Sequence, residues 1–207
     1  MDHRIQLVNI PNKGRGFIAK QKIPKGTIII KEYPSYMISE EESIFSDMFQ
    51  LLYHIINCGD ETLKNNFYSM PPNNINNFTH HKKKIIQTLE NLKKIENIYA
   101  NNIYLFFTNN YTENELLLLC AKYMCNAFDF GKYGPAILFN GALLNHSCDP
   151  NVIFKQENKY MIFKTIKDIN KGEELCNNYI DITLPKKRRL SILKSQYGFT
   201  CTCNRCK

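Results

Sequence analysis

The stretch Asn145-His146-Ser147-Cys148-Asp149-Pro150-Asn151 decides how the rest of the chain is interpreted. Its Asp149-Pro150 pair predicts a turn, because proline holds the residue before it in an extended or turn conformation. A cysteine at the start of such a turn keeps its sulfur accessible to a ligand. We therefore interpret Cys148 as a candidate metal ligand and look for its partner ligands elsewhere along the chain.

The last seven residues contain three more cysteines, Cys201, Cys203 and Cys206, in the spacing Cys-x-Cys-x-x-Cys. Three closely spaced thiolates supply three of the four corners of a tetrahedral zinc site. Cys148 is favoured as the fourth ligand, since a thiolate completes a uniformly soft ligand set. The sequence thus predicts one structural Zn²⁺ held by these four cysteines. The other candidates for the fourth corner are the five histidines His3, His54, His80, His81 and His146.

The composition predicts a folded intracellular protein, in the nucleus or the cytoplasm. Of the 207 residues, 43% are hydrophobic, which argues against a wholly disordered chain. No run approaches the roughly 20 apolar residues of a membrane span, and residues 1–16 lack the apolar core of a secretory signal. Inside a cell, eight cysteines favour metal ligation over disulfides. We interpret the net charge of +8 as a solvated basic surface.

The first half of the chain changes from strand-like to helix-like patterns. Short β-branched runs separated by proline and glycine predict strands and hairpins in residues 1–38, with a turn at residues 11–16. Apolar positions with helical spacing predict a helical insert over residues 39–111. Within this insert, we expect the asparagine-rich segment 69–84 to be an exposed loop.

The second half of the chain begins with a helix start signal. Thr112 and Glu115 form a capping-box signature, which predicts a buried helix. Residues 112–184 then alternate short apolar stretches with turns, which predicts a β-rich core. Pro185 is well placed to open a last helix in residues 185–207. We find no internal repeat and no long linker, so the simplest interpretation is a single α+β domain that carries an insert.

Five short motifs occur in a fixed order along the chain. They are Lys13-Gly14-Arg15-Gly16-Phe17, Cys125-Asn126-Ala127-Phe128, residues 145–151, Gly172-Glu173-Glu174-Leu175 with Tyr179-Ile180-Asp181, and residues 197–206. This series resembles the SET-domain protein lysine methyltransferases, most closely the SET and MYND (SMYD) subgroup. The insert has a single cysteine, Cys58, so we expect no cysteine-rich MYND module. The resemblance implies a β-rich SET fold of short strands with a helical insert and a zinc-binding post-SET segment at residues 185–207.

The resemblance also implies an activity and a cofactor. A protein of this family transfers a methyl group from S-adenosylmethionine (SAM) to a lysine of a histone or another protein, and chromatin regulation is one expected role. Glycines without side chains would let the backbone approach the methionine end of SAM closely, and Phe199 would cover the adenine. The cofactor-binding residues implied in this way are Lys13, Gly14, Arg15, Gly16, Asn126, Asn145, His146, Tyr179 and Phe199.

Three aromatic residues match the lysine channel of the family, namely Phe128, Tyr179 and Tyr197. A lysine ammonium has an unperturbed pKa near ~10.4 and must lose a proton before its nitrogen can attack a methyl group. A channel of aromatic walls helps, because desolvation disfavours the charged form. The resemblance assigns substrate binding to all three residues. It assigns catalysis to the hydroxyl of Tyr179, which would orient the amine, with Tyr197 as its companion.

The adjacent carboxylates Glu173 and Glu174 invite comparison with a catalytic acid pair. Neighbouring residues of a strand point to opposite faces, so the two side chains cannot flank one reacting bond. We therefore interpret both glutamates as structural.

Two other functions fit parts of the sequence. A catalytically silent SET fold would act as a zinc-stabilised protein-interaction module, but such a copy would tolerate loss of Tyr179 or of Asn145-His146, and all three are present. A nucleic-acid-binding zinc protein would need clustered cations with interleaved aromatics, and only the run from Lys186 to Arg189 approaches that pattern. We therefore expect a protein substrate, a monomeric chain, and no direct binding to nucleic acid or membrane.

Overall fold

The computed structural model describes residues 1–36, 46–131 and 134–207. The first positions of the predicted helical insert, residues 39–45, lie outside the described residues. The chain divides into two compact units, and the boundaries at residues 38, 111 and 184 drawn from the sequence stay a prediction. The first unit consists of Met1–Pro34, Leu138–Lys194 and Phe199–Lys207, and the second of Ser35–Ile137 and Ser195–Gly198.

Short strands and helices alternate along the chain, as the sequence predicts for a mixed α+β fold. The strands are β1 (Ile5–Ile10), β2 (Gly14–Ala19), β3 (Ile28–Glu32), β4 (Ala127–Asp129), β5 (Pro135–Ile137), β6 (Asn145–His146), β7 (Val152–Glu157), β8 (Tyr160–Thr165) and β9 (Glu174–Asn177). The α-helices are α1 (Asp47–Tyr53), α2 (Glu61–Tyr68), α3 (Lys82–Leu92), α4 (Ile98–Asn110), α5 (Glu113–Asn126) and α6 (Lys186–Ile192). Shorter helical segments are Thr79–His81, Gly141–Leu143 and the π-helical turns His54–Cys58 and Leu193–Tyr197.

Two sheets form the first unit. Four strands pair in the order β1-β2-β9-β6, antiparallel except for the last pair, in which β6 runs parallel to β9. Three further strands pair antiparallel in the order β3-β8-β7. The parallel contact is only two residues long, with Asn145 opposite Cys176 and His146 opposite Asn177. This short pairing brings residues 145–151 beside the strand that leads to Tyr179.

Apolar side chains fill the first unit behind these sheets. Phe17 of β2 pairs in register with Leu175 of β9, and both are fully buried. The ring of Phe163 on β8 packs against the backbone at Gly141. A Cβ atom added at Gly141 would lie 2.3 Å from Cζ of Phe163, so a side chain at this position would displace the ring. Close packing therefore fixes the segment that enters β6.

A buried carboxylate ties β3 to that same segment. Oε1 of Glu32 accepts a hydrogen bond from the backbone N–H of Asn140 at 2.9 Å, and Oε2 accepts one from the backbone N–H of Gly141 at 2.8 Å. Burial raises the pKa of Glu32, while these hydrogen bonds oppose the rise. Glu32 thus positions the 3₁₀ turn Gly141–Leu143, which leads through Leu144 into β6.

The second unit is mainly helical, and it includes α5, β4 and β5, which lie within the residues predicted as the β-rich core rather than as the insert. Helices α1, α3, α4 and α5 pack together, and the rings of Phe49 and Phe107 meet in their core at a centroid distance of 5.4 Å. The capping box that opens α5 is confirmed, because Thr112 and Glu115 exchange side-chain to backbone hydrogen bonds. Strands β4 and β5 pair antiparallel directly after α5. No helix among the described residues is long and apolar enough to cross a bilayer.

The turn predicted for residues 11–16 is present in the first half of that stretch. The chain reverses at residues 11–13, and Gly14, Arg15 and Gly16 already belong to β2. The backbone explains the position of the reversal, since Asn12 has φ 62° and Gly14 has φ 78°. Asparagine and glycine tolerate this left-handed region better than other residues, so the reversal is complete before Gly16. Gly14 thus ends the reversal, and β2 continues through Arg15 and Gly16.

The segment 69–84 is only in part the exposed loop that the sequence predicts: residues 69–78 contain no helix or strand, but two of them are buried and the last residues are helical. Met70 and Phe78 are buried, at 4% and 1% exposure. Lys82 begins α3, so the end of the segment is helical. Isolated apolar side chains in an asparagine-rich stretch still gain free energy from burial, which the polar composition of their neighbours concealed.

We expect Glu32→Ala to lower the free energy of unfolding by about 2 to 3 kcal/mol, because it leaves the backbone N–H groups of Asn140 and Gly141 without their acceptor. Urea unfolding followed by circular dichroism measures this loss. The matched control is Glu157→Ala at the exposed end of β7, which should change stability by less than about 0.5 kcal/mol. Equal unfolding midpoints for the two variants would contradict the role of Glu32.

Candidate functional site

The four cysteines that the sequence singles out meet in the first unit. The sulfur atoms of Cys148, Cys201, Cys203 and Cys206 all lie within 4.8 Å of one another, and Sγ of Cys148 is 3.5 Å from Sγ of Cys206. A tetrahedral zinc with Zn–S bonds of about 2.3 Å places its sulfurs about 3.8 Å apart. The cluster therefore fits the predicted ligand set, and within the described residues no histidine belongs to it.

The thiols of this cluster differ in how readily they ionise. Burial raises the pKa of Cys201 to about 12. Burial also opposes ionisation of Cys203, but hydrogen bonds from neighbouring backbone and thiol groups outweigh it and lower the pKa to about 7. Four thiolates so close together repel one another unless a cation lies between them. The chemistry of this donor set thus matches a divalent metal.

His146 connects the thiol cluster to Tyr179. Burial lowers the pKa of His146 to about 4, assisted by the charges of Arg189 and Lys13, so the ring is neutral at neutral pH. Nδ1 accepts the backbone N–H of Tyr179 at 3.0 Å, which places the ring proton on Nε2. Nε2 lies 3.3 Å from Sγ of Cys148 and donates to it. Both ring nitrogens of this predicted cofactor residue are therefore engaged within the protein.

Glu174 joins two of the predicted cofactor residues. Its Oε1 accepts a hydrogen bond from Nδ2 of Asn145 at 3.0 Å, and its Oε2 forms an ion pair with Nζ of Lys13. Burial would lower the pKa of the Lys13 amine, but the Glu174 carboxylate outweighs burial and raises it. Glu173 precedes the strand and accepts from the backbone N–H of Asn170 at 3.0 Å. The two glutamates thus have separate partners and do not form an acid pair.

The close approach of Asn145 to the strand β2 depends on a glycine. Nδ2 of Asn145 also donates to the backbone oxygen of Arg15 at 3.2 Å. A Cβ atom added at Gly16 would lie 2.5 Å from this Nδ2. A Cβ atom at Gly14 would meet no atom within 4 Å, so the backbone there faces open space. The structure therefore brings Lys13 to Gly16 and Asn145 together around an accessible backbone.

Three aromatic rings of the first unit lie close together. The ring of His146 lies 5.3 Å from that of Tyr179 and 6.0 Å from that of Phe199, and the Tyr179 and Phe199 rings are 6.3 Å apart. The hydroxyl of Tyr179 donates to the backbone oxygen of Leu144 at 2.8 Å. Tyr179 is thus held at both its backbone and its hydroxyl.

The remaining predicted residues, Asn126, Phe128 and Tyr197, belong to the second unit. The amide nitrogen of Asn126 donates to the backbone oxygens of Pro71 and Lys122 at 2.6 and 2.7 Å, so both of its amide hydrogens are engaged in hydrogen bonds within the protein. Phe128 lies in β4 and is half-buried. Burial raises the pKa of Tyr197, which keeps its hydroxyl protonated.

Sequence reasoning missed two residues around the site. Glu174 was interpreted only as structural, and nothing local indicated its contacts with Lys13 and Asn145. Arg189 was counted in a basic run, yet it is 4% exposed and contacts Cys148. Arg189 lies four residues before the buried Leu193, and residues four apart share one face of a helix. This spacing could have indicated that Arg189 is buried.

Comparison with known proteins identifies the family. The SET domain matches residues 14–180, most of the chain, so this protein belongs to the SET-domain family. The SET domain-containing protein L678 of Acanthamoeba polyphaga mimivirus is 46% identical over 205 residues, which cover 99% of this chain and 78% of that protein. The resemblance carried by the five motifs is therefore confirmed.

Lysine methyltransferases are among the more distant relatives. Human N-lysine methyltransferase SMYD2 is 33% identical over 130 residues, which cover 60% of this chain and 28% of that protein. The SET domain of LSMT, solved with methyllysine and AdoHcy, superimposes with a TM-score of 0.63 at 16% identity, covering 98% of this chain and 54% of that one. The chain thus spans less than a third of SMYD2 and about half of LSMT, and the LSMT likeness establishes the fold.

We expect the purified protein to contain one zinc per chain, measured by elemental mass spectrometry. Cys148→Ser and Cys203→Ser should each lower the zinc content and the melting temperature, because each removes one corner of the site. Cys58→Ser is the matched control, since Cys58 is exposed and lies outside the cluster. Wild-type protein without zinc, prepared without chelator, would contradict the assignment.

Proposed function

We propose that this protein is a SAM-dependent protein-lysine N-methyltransferase that acts on a lysine of a histone or another protein. The observation that carries the proposal is the fixed position of Tyr179. Its backbone N–H is held by His146, its hydroxyl by the backbone oxygen of Leu144, and its ring lies near Phe199. Membership of the SET-domain family and the similarity to SMYD2 support the same activity.

The residues of the first unit suit the methionine end of SAM. When bound, SAM supplies an electrophilic methyl group on a sulfonium. The open backbone at Gly14 leaves room for close approach, and Gly16 keeps Asn145 beside that backbone. We infer that Asn145 and the Lys13–Gly16 backbone hold the polar groups of the cofactor, while Phe199 covers its adenine. Phe199 and Asn126 complete the proposed cofactor set together with Arg15, His146 and Tyr179.

The Tyr179 hydroxyl is suited to orient a lysine amine. Its proton points to the backbone oxygen of Leu144. A hydroxyl that donates its proton still has lone pairs that accept hydrogen bonds. Tyr179 would therefore accept an N–H of the substrate amine and direct the nitrogen lone pair away from the hydroxyl. Such orientation lowers the activation free energy, because the reactants lose less conformational freedom on the way to the transition state.

The other aromatic residues would favour the neutral amine. Phe128 and Tyr197 are the proposed companions of Tyr179 in substrate binding. Because burial raises the pKa of Tyr197, its hydroxyl stays neutral and adds no charge to attract an ammonium ion. Desolvation of the substrate lysine then lowers the pKa of its ammonium, and the released proton passes to solvent. We propose that the enzyme is a monomer with a structural zinc. We further propose that it acts in the nucleus or cytoplasm and has a role in chromatin regulation.

Binding of SAM tests the cofactor site separately from catalysis. Asn145→Ala should weaken SAM binding by about 10-fold or more, because it removes polar contacts to a charged ligand worth about 1.5 to 3 kcal/mol. Isothermal titration calorimetry measures the affinity. Asn9→Ala, on the exposed face of β1, is the control. Unchanged SAM affinity in Asn145→Ala would remove Asn145 from the site.

Methyl transfer tests the role of Tyr179. With labelled SAM and a panel of proteins and peptides, the wild-type chain should methylate lysine, and Tyr179→Phe should lower the rate by about 10-fold or more, which is roughly 1.4 kcal/mol of barrier. SAM affinity should remain near the wild-type value, since only the hydroxyl is lost. Tyr160→Phe, in the exposed part of β8, is the matched control.

The outcomes distinguish the enzyme from a silent interaction module. A silent module would bind zinc and partner proteins but transfer no methyl group to any member of the panel. Full turnover by Tyr179→Phe on a verified substrate would instead move the orienting role to Tyr197.

A further inference from the structure

Arg189 carries a buried positive charge beside the cysteine cluster. It lies in α6, where the preceding residues Lys186, Lys187 and Arg188 are exposed, yet Arg189 itself is 4% exposed. Burial of a charged guanidinium is costly unless anions or hydrogen-bond acceptors surround it. The partners of this side chain therefore reveal what it does.

Four hydrogen bonds hold the guanidinium of Arg189, two of them to sulfur. Nε donates to Sγ of Cys148 at 3.2 Å, and Nη2 approaches Sγ of Cys206 at 3.8 Å. Nη1 donates to the backbone oxygen of Leu184, and Nη2 also donates to the backbone oxygen of Arg205 at 3.2 Å. Among the described residues, no carboxylate forms an ion pair with Arg189. Within the part of the chain that the structure describes, its candidate anions are the two sulfurs.

The charge of the predicted zinc site accounts for this arrangement. Four thiolates on Zn²⁺ carry a net charge of −2, which is unfavourable in a buried site. We propose that Arg189 is a positioning residue of this zinc site: it neutralises part of the excess charge and orients the thiolates of Cys148 and Cys206. The inference rests on the zinc prediction and extends it beyond the four ligands. Outer groups that hydrogen-bond to ligands commonly tune metal affinity.

The planar guanidinium makes the arginine hard to replace. Its N–H groups diverge in a fixed plane, so one side chain reaches two sulfurs and two backbone oxygens. A lysine would keep the charge but offers a single nitrogen. Arg189→Lys should therefore retain part of the effect, whereas Arg189→Met, similar in length and uncharged, should lose it.

The first experiment measures zinc affinity by competition with a chromophoric chelator. Arg189→Met should bind zinc about 10-fold more weakly than wild type, the lower end of outer-shell effects, and Arg189→Lys should lie between them. Arg188→Met is the control for the same helix, because Arg188 is exposed. Arg205→Met is the control for a loosened tail, since the side chain of Arg205 donates to the backbone oxygens of Cys148 and Ile182.

The second experiment asks whether the effect is local. A thiolate that accepts hydrogen bonds from a cation is a weaker nucleophile, so iodoacetamide should alkylate Cys148 and Cys206 faster in the zinc-loaded Arg189→Met protein. Peptide mass spectrometry gives the rate for each cysteine. The rates at Cys201 and Cys203 should rise less, because the hydrogen bonds of Arg189 to sulfur go to Cys148 and Cys206. Arg205→Met should show no such preference among the four.

Each outcome decides between the inferences. Wild-type zinc affinity and alkylation rates in Arg189→Met would overturn the role of Arg189 while leaving the zinc site intact. If the alkylation rate rises equally at all four cysteines, and Arg205→Met shows the same rise, Arg189 has only a packing role. A wild-type protein without zinc would overturn both the site and this inference. If Arg189→Met does not fold, as judged by circular dichroism, the same comparisons are made with Arg189→Lys.

Discussion

The two-residue parallel pairing of β6 with β9 is the contact on which the site depends. It aligns Asn145 with Cys176 and His146 with Asn177. Strand β6 leads into the turn at residues 147–151, and β9 leads towards Tyr179. Such a short pairing supplies few hydrogen bonds of its own. Its neighbours therefore hold it in register, with Glu32 fixing the approach to β6 and Glu174 holding the side chain of Asn145.

The thiol cluster and the aromatic cluster are coupled through one neutral histidine. His146 accepts from the backbone of Tyr179 with one ring nitrogen and donates to Cys148 with the other. Because a metal would draw Cys148 and the C-terminal cysteines together, the same metal would stabilise the position of His146 and of the nearby Phe199. A structural zinc in this protein would thus influence the proposed cofactor site without touching the cofactor.

Charged groups near the site are arranged in compensated pairs. Lys13 is matched by Glu174, and Arg189 by the sulfurs of Cys148 and Cys206. Arg189 is buried, so the loss of its partners would be costly, whereas Lys13 is partly exposed and water screens its charge. The net charge of the chain indicated none of this, because it counts cations without regard to their partners. The basic run that ends at Arg189 is therefore not a uniform solvated stripe.

The sequence by itself determined the features that arise within a few residues. The capping box of Thr112 and Glu115, the helix after Pro185 and the cysteine spacing are local, so their patterns were sufficient, and five motifs in series revealed the family. Only the tertiary structure decided the partners of Glu174, His146 and Arg189. Glu174 meets Lys13 across 161 positions of the chain, and such contacts depend on which strands pair. Strand pairing is set by burial summed over the whole unit, which no single stretch of sequence encodes.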